Sequence, residues 1–190
     1  MSFFDNYFAR LDDRLRKVDA AALECVSRVM ERVGARGGKV IVVGNGGSAA
    51  MASHVTVDLT KCVGVRAVNF NEADLLTCFA NDYGYEHWVE KALDFYADKK
   101  DVVVLISSSG KSMNMLNGAK RAKAMRLPLI TLTGFAADNP LRKLGDVNFW
   151  VNSQEYNIVE MVHHIWLLAM ADRILDRKTE KPVKQRRTAE

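Results

Sequence analysis

Residues 102–112 read Val-Val-Val-Leu-Ile-Ser-Ser-Ser-Gly-Lys-Ser, a short apolar run that passes straight into a turn rich in serine. Residues 40–48 repeat the arrangement as Val-Ile-Val-Val-Gly-Asn-Gly-Gly-Ser, with glycines in place of most of the serines. A helical pattern follows each turn, and the N-terminus of a helix offers unpaired backbone N–H groups and the positive end of a dipole. Anions bind readily at such places. The two turns therefore predict a binding site for a phosphorylated small molecule.

Strands and helices alternate along the rest of the chain. The predicted strands are 40–43, 65–70, 101–106, 128–133 and 147–151, and the predicted helices after the first strand are 47–60, 72–79, 84–98, 112–126, 138–144 and 156–176. Short apolar strands separated by helices indicate an α/β fold with a parallel sheet covered on both faces. Ligands of such folds bind beyond the carboxyl ends of the strands, which is where both turns lie.

The chain before the first strand predicts one long amphipathic helix over 3–34, because its apolar side chains recur at steps of three and four. Gly34, Gly37 and Gly38 end this helix. Its apolar stripe is longer than one small sheet can cover, so we expect part of it to pack against another subunit. Residues 1–177 are expected to form a single domain that includes this oligomerisation helix, and residues 178–190 a flexible basic tail.

Composition argues against several classes of protein. No apolar run among the 190 residues reaches the roughly 18 needed to span a bilayer, and the N-terminus lacks the basic and apolar regions of a signal peptide. Three cysteines without C-x-x-C spacing, Cys25, Cys62 and Cys78, predict reduced and mostly packed thiols. The basic tail carries no aromatic residue, which disfavours a nucleic-acid interface. We therefore expect a cytoplasmic protein whose partners include neither a membrane nor a nucleic acid.

Each glycine- or serine-rich turn has an alternative interpretation. Residues 44–49 also fit a loose G-x-G-x-x-A dinucleotide pattern, but the acidic residue expected about 20 positions on comes late; a tight turn without a ligand is the other alternative. The second turn ends in Gly110-Lys111-Ser112 like a P-loop, yet Leu105 stands where the first glycine belongs. Four hydroxyls suit a phosphate monoester, whereas a simple N-cap would need only one serine.

Titratable side chains mark two of the predicted helices. His54 and Asp58 are four residues apart and share a helix face, so they suit a metal ion or acid–base work, or else form a surface pair. Glu160 can meet His163 or His164, of which only one can face a site because neighbours lie about 100° apart on a helix. The alternative is that both histidines are packing or surface residues.

The motifs taken together resemble the sugar isomerase (SIS) domain, and within it the phosphoheptose isomerase family. The resemblance rests on residues 44–48, 81–84, 106–112 and 131–134 and extends over nearly the whole chain. That family converts sedoheptulose 7-phosphate to glycero-manno-heptose 7-phosphate, which feeds heptose synthesis for lipopolysaccharide, capsule or a related glycan. The resemblance implies a flavodoxin-like α/β fold and a homotetramer with active sites at subunit interfaces.

The same resemblance assigns roles to individual residues. It implies that the substrate phosphate is cradled by Ser107, Ser108, Ser109 and Ser112. It implies that the sugar is lined by Asn45, Gly46, Gly47, Ser48, Asn81 and Asp82. From the residues alone, the Asn-Asp pair at 81–82 fits a turn or N-cap before Gly84 equally well.

The chain departs from the family pattern on two helices. The family has a histidine and a glutamate as metal ligands where this chain has His54 and Asp58, and aspartate is shorter by about 1.5 Å. The family also has a glutamine and, eight residues on, a catalytic histidine, which align with Val159 and Leu167. Because positions 159, 163 and 167 form one stripe, we hypothesise that His163 replaces the missing histidine.

These residues predict an aldose–ketose isomerase of a phosphorylated sugar. Asp58 is the candidate base, and His163, oriented by Glu160, is the candidate acid. The candidate ligands of a zinc ion, the one cofactor considered, are His54, Asp58 and His163. The alternative is a non-catalytic SIS module that binds a sugar phosphate or a protein such as a replication initiator. An isomerase or epimerase of a different phosphosugar also fits the residues.

Overall fold

The computed structural model describes residues 2–180, which form five strands and seven helices within that range. The strands are β1 (Val40–Gly44), β2 (Ala67–Asn69), β3 (Val102–Ser107), β4 (Leu129–Thr133) and β5 (Val147–Trp150). The helices are α1 (Phe3–Arg16), α2 (Ala20–Ala35), α3 (Gly47–Lys61), α4 (Ala73–Tyr83), α5 (Trp88–Tyr96), α6 (Met113–Ala124) and α7 (Tyr156–Glu180). All five strands lie within three residues of their predicted bounds.

The strands form one parallel sheet in the order β2-β1-β3-β4-β5. The chain passes from β1 to β2 on one side and then returns to β3 on the other side of β1. Such a switch point opens a crevice at the carboxyl ends of β1 and β3. Gly44 pairs with Ile106 in the β1–β3 register, so the glycine and serine turns start side by side. The predicted parallel α/β fold is confirmed.

Two apolar layers cover the sheet, because successive side chains of a strand point to opposite faces. In β1, Val40 and Val42 pack into the layer formed by α2, α3 and α7, with α1 outside it. Ile41 and Val43 pack into the opposite layer, formed by α5 and α6 with α4 at its margin. The crevice between the two turns therefore opens above a sheet that is buried on both faces.

The prediction of a single helix over 3–34 is wrong, since the helix is interrupted between α1 and α2. Asp19 is the N-cap of α2, and its carboxylate accepts a hydrogen bond of 2.9 Å from the backbone N–H of Ala21. Leu15, Val18 and Ala22 pack on the same core cluster on either side of the break. The apolar spacing therefore continues across a break at which α1 ends, with Lys17 as its C-cap, and a new N-cap starts α2.

Two other predictions fail at helix ends. Residues 138–144 form turns instead of a helix, because three-residue bonds such as Lys143 N–H to the Pro140 carbonyl are not continued into a helical ladder. α7 runs to Glu180, so the predicted tail from 178 begins inside a helix, and its remainder, 181–190, lies outside the described residues.

Among residues 2–180, no single helix is both long enough and apolar enough to cross a membrane.

The three cysteines are unpaired, as predicted, but they are exposed and not packed. Cys25 and Cys78 lie on the outer faces of α2 and α4, and Cys62 follows the last residue of α3. Helix periodicity does not distinguish a small apolar residue on the solvent face from one in the core, which explains the error.

Candidate functional site

A cleft of about 280 Å³ lies at the carboxyl ends of β1 and β3. Three segments form its walls: the glycine turn, the serine turn and the first turns of α7. The lining residues are Asn45, Gly46, Gly47, Ser48, Ile106, Ser107, Ser108, Ser109, Ser112, Tyr156 and Glu160. The eight residues predicted to line a site in the two turns are therefore brought together in one cavity, with Tyr156 and Glu160 opposite them.

The serine turn is held by its own hydroxyls. Ser107 Oγ lies 3.3 Å from Ser112 Oγ and accepts a bond of 3.2 Å from the Gly110 N–H. Ser109 Oγ accepts from the Lys111 N–H at 3.2 Å. These bonds close a tight loop around the cleft floor, so the backbone of the turn is fixed before any ligand binds.

Two hydroxyls of this turn are not engaged in capping. Ser112 occupies the N-cap position of α6, yet within residues 2–180 its side chain makes no capping bond to the helix. Ser108 Oγ is buried and has no hydrogen-bond partner among the described residues. A buried hydroxyl without a partner is destabilising unless a ligand or water satisfies it. The turn is thus better explained as a loop that donates hydrogen bonds to a ligand than as a serine-rich helix cap.

The glycine turn lets a carboxylate approach the start of α3. Gly46 has φ = 54°, in the region that favours glycine. A Cβ at Gly47 would collide with Glu160 Oε2. The absence of a side chain at 47 therefore makes room for the Glu160 carboxylate against the first turn of α3.

Glu160 is the only carboxylate among the cleft-lining residues of the described chain. Burial raises the pKa of Glu160 above its usual range, because the ionised form loses hydration. A carboxylate in a cleft with an elevated pKa is typical of a general base or acid.

The face of α7 that meets the site differs from the predicted one. Tyr156 and Glu160 line the cleft, and His164, one further turn along the same stripe, contacts α3. The predicted stripe lies one residue away and faces the core: Val159, His163 and Leu167 are all buried, none above 1% exposed. A shift of one residue rotates a helix by about 100°, which moves a side chain from the cleft to the core.

The hypothesis that His163 is the active-site acid is contradicted by its position. His163 is fully buried, and its Nε2 lies 3.0 Å from the Thr133 carbonyl oxygen. Burial lowers the pKa of His163 to about 4, although the Thr133 carbonyl opposes that change. Glu160 faces the cleft and does not orient this ring. His163 is thus a neutral core residue that ties α7 to the end of β4.

The predicted metal cluster of His54, Asp58 and His163 is not assembled. His54 Nε2 lies 3.6 Å from Asp58 Oδ2, but the imidazole nearest to His54 is His164. Across residues 2–180, no group of three or more His, Cys, Asp or Glu side chains converges as a metal site. The three predicted ligands therefore do not fit a zinc ion. Asp58 lies outside the cleft lining and beside His54, so its geometry gives no support to the predicted role of base.

Asn81 and Asp82 also lie apart from the cleft lining. They belong to the last turn of α4, where Asn81 Nδ2 donates to Asp82 Oδ1 at 2.9 Å, and both are exposed. The interpretation of this pair as an N-cap is wrong, since α4 continues to Tyr83 and ends at Gly84.

Three further polar residues adjoin the site without having been predicted. Asn45 and Asn114 exchange two amide hydrogen bonds, of 3.1 Å and 2.9 Å, and the Tyr85 hydroxyl lies 3.3 Å from Asn45 Oδ1. Tyr156 stands on the cleft rim against Phe135, with ring centroids 4.8 Å apart. The sequence held a signal for two of them. Asn114 follows Ser112 by two positions, and Tyr156 precedes Glu160 by four, which places it on the same face of the helix.

Comparison with known proteins agrees with this geometry. Residues 3–134 match the family model of the SIS domain. A probable phosphoheptose isomerase of Thermoplasma acidophilum is 33% identical over 177 residues, which cover 90% of this chain and 93% of that protein. The probable phosphoheptose isomerase of Thermoplasma volcanium is 32% identical over 155 residues, 78% of each. Phosphoheptose isomerase GmhA from Neisseria gonorrhoeae superposes with a TM-score of 0.83 at 28% identity, over 90% of this chain and 97% of that one. By sequence and by fold, this chain belongs to the SIS domain family.

Proposed function

We propose that this protein interconverts the ketose and aldose forms of a phosphorylated sugar, with sedoheptulose 7-phosphate as the leading substrate. The observation that carries the proposal is the cleft in which a preformed serine turn faces the Glu160 carboxylate. The names of the relatives, phosphoheptose isomerases that match over most of their length, support the choice of sugar. Ser108 Oγ, buried and unpaired within the described chain, offers a donor to a phosphoryl oxygen.

The serine turn supplies binding energy remote from the reacting carbons. A phosphate monoester seated there accepts hydrogen bonds from the hydroxyls and from backbone N–H groups at the start of α6. Because the turn is closed by its own bonds, the phosphate fixes the sugar chain relative to α7. Such positioning lowers the barrier by removing motional freedom before the reaction starts.

Glu160 acts as the base in this proposal, in place of Asp58. Its ionised carboxylate removes the proton from the carbon next to the carbonyl, and the electron pair passes to the carbonyl oxygen to give an enediolate. The resulting carboxylic acid returns the proton to the neighbouring carbon, and a second proton shift between the two oxygens completes the isomerisation. A carboxyl pKa raised by burial brings the base closer in strength to the proton that it transfers.

The experiment follows conversion of sedoheptulose 7-phosphate by proton NMR in D₂O with the parent protein, Glu160→Gln and Glu155→Gln. Glu155 is the control because its carboxylate is exposed and pairs with Arg10 outside the cleft. We expect the parent and Glu155→Gln to turn over the sugar, and Glu160→Gln to lose at least about 100-fold in kcat. Equal rates for all three proteins would contradict the role of Glu160.

The second candidate function is a non-catalytic module that binds a sugar phosphate or a protein partner. It is favoured by the burial of Val159 and Leu167, which leaves apolar side chains where the resemblance implies polar ones. Saturable thermal stabilisation of the parent by the sugar, with no conversion in the same samples, would select this function over the enzyme.

The proposal includes a cytoplasmic homo-oligomer, with a tetramer as the leading assembly. Three exposed and unpaired thiols suit a reducing compartment. The three phenylalanines of α1 are largely exposed, which suits a helix that packs against another copy.

A further inference from the structure

Two side-chain amides face each other at the wall of the cleft. Asn45 follows the last residue of β1, and Asn114 is the second residue of α6. Asn45 Nδ2 donates to Asn114 Oδ1 at 3.1 Å, and Asn114 Nδ2 donates to Asn45 Oδ1 at 2.9 Å. Asn114 is only 2% exposed, so its amide is held inside the protein. The paired bonds therefore tie the glycine turn to a buried group of the helix that follows the serine turn.

Tyr85 makes a third bond to the same amide. Its hydroxyl donates to Asn45 Oδ1 at 3.3 Å. A carboxamide has two lone pairs on its oxygen and two N–H groups on its nitrogen. Both lone pairs of Asn45 are thus occupied, and one of its N–H groups is bonded to Asn114. Within residues 2–180 the other N–H has no protein partner, so this amide offers the cleft one donor and no acceptor.

Asn45 stands between the cleft and a neighbouring cavity of about 570 Å³. The other residues that line the neighbouring cavity are Tyr85, Glu86, Ser112, Met113 and Asn114. Open space beside a half-buried side chain leaves room for other rotamers. The bonds from Asn114 and Tyr85 therefore determine which way the Asn45 amide faces.

The free N–H of Asn45 lies in the cleft in which the isomerase reaction develops negative charge. When Glu160 removes the proton, the electron pair passes to the carbonyl oxygen of the sugar. Glu160 lines the same cleft, and its carboxylate lies against Gly47, two residues after Asn45. A donor that is fixed in place stabilises such an oxygen more in the enediolate than in the neutral carbonyl. An acceptor at the same position would repel it.

We propose that Asn114 is a positioning residue that holds the free N–H of Asn45 toward the sugar oxygen that becomes negative in the enediolate. The inference rests on the proposed isomerase function and adds an electrostatic donor to it. Asn45 contacts the sugar, whereas Asn114 acts only through Asn45. Neither amide gains or loses a proton, and Glu160 remains the base.

A double-mutant cycle tests this role, because it separates an effect through Asn45 from an effect on the fold. Both kcat and KM for sedoheptulose 7-phosphate are measured for the parent, Asn45→Ala, Asn114→Ala and the double variant. The matched control is Asn117→Ala, one turn further along α6, whose amide donates to the Glu86 carbonyl at 2.9 Å. Circular dichroism shows whether each variant folds. Asn114→Ser, which is polar but shorter, repeats the measurement if Asn114→Ala does not fold.

We expect the loss to appear in kcat, with KM little changed, because the donor is needed most in the transition state. Asn45→Ala should lower kcat by at least about 100-fold. Asn114→Ala should lower it by about 10–100-fold, as expected when a catalytic group is displaced. The double variant should match Asn45→Ala, since Asn114 then has nothing left to position, and Asn117→Ala should keep the parent's values.

Three results would overturn the proposal. Additive losses in the double variant would mean that Asn114 acts on the fold and not through Asn45. A raised KM with unchanged kcat in Asn45→Ala would place its donor on the bound sugar before reaction and not on the enediolate. Parent-like kcat in Asn114→Ala, with an active parent, would reject this role alone, whereas no conversion by the parent would reject the isomerase and this role together.

Discussion

Glu160 faces the cleft because it lies one helical turn after Tyr156, on the side of α7 that meets the glycine turn. Tyr156 and Glu160 share the cleft-facing stripe, whereas Val159 and His163 share the buried one. The helix carries exposed apolar residues as well, such as Met161 and Ile165, so its hydrophobic pattern did not identify the core side. Sequence identified Glu160 on this helix but not Tyr156, because tertiary packing decided which face of α7 meets the cleft.

The elevated pKa of Glu160 predicts opposite pH effects on activity and on stability. The carboxylate must be ionised to act as a base, so kcat/KM should fall as the pH drops through the raised pKa, above the range of an ordinary glutamate. Because the folded pKa lies above the unfolded one, the folded protein favours the protonated form. Its contribution to stability is complete below the unfolded pKa and is lost as the pH rises through the folded value.

Glu160→Gln, a mimic of the protonated form, separates these effects. We expect the variant and the parent to have nearly equal free energies of unfolding in acid. At neutral pH the variant should be the more stable of the two. Guanidinium titration at each pH measures both values. A variant less stable than the parent at neutral pH would mean that the glutamate makes a stabilising contact that the cleft geometry does not reveal.

At the scale of elements, the strands and their turns were predictable and the helix boundaries were less so. A buried parallel strand shows itself as a continuous apolar run, and a turn that must bend sharply requires glycine. The break between α1 and α2 was hidden because Leu15, Val18 and Ala22 keep a helical spacing across it. Asp19 before three alanines, after the basic Arg14, Arg16 and Lys17, was the signal that could have placed it.

Asp19 should therefore contribute more to the stability of the fold than its exposed position suggests. Asp19→Ala removes the carboxylate that accepts from the Ala21 N–H, and we expect it to lower the free energy of unfolding by about 1 kcal/mol. Asp12→Ala is the control, because Asp12 forms only an exposed pair with Arg16, and such pairs contribute little. Chemical denaturation measures both, and equal effects would argue against capping as the cause.

The contact between His54 and His164 shows how far sequence patterns can predict the packing of helices. The two residues are 110 positions apart in sequence, on α3 and α7, which contact each other in the folded chain. No local pattern specifies such a pair without the topology. The cleft-facing turns, by contrast, were identified because each carries its whole chemistry within a few consecutive residues.

For the whole molecule, the surface of α1 is the clearest sign of association. Phe3, Phe4 and Phe8 are 68%, 66% and 61% exposed, and no residue of α1 is buried. We expect light scattering after gel filtration to give a mass several times the 21.3 kDa of one chain. Replacing the three phenylalanines with serine should shift the protein toward the monomer, because that apolar area is then no longer gained on assembly.

The control for this experiment is Phe95→Ser, since Phe95 is 66% exposed on α5, in the layer on the opposite face of the sheet. It should leave the mass unchanged. A parent protein that elutes as a monomer would count against the oligomer, and a loss of mass in the control alone would place the interface on α5.

The exposed cysteines make the protein suitable for spectroscopic labelling. Cys25 and Cys78 lie on α2 and α4, and Cys62 follows the end of α3. None of them belongs to the cleft lining, so a maleimide dye or spin label at each would leave the cavity clear. The charge of Asp82 is the largest of the effects that raise the pKa of the Cys78 thiol. Less of that thiol is therefore ionised at neutral pH, and alkylation there should be slow.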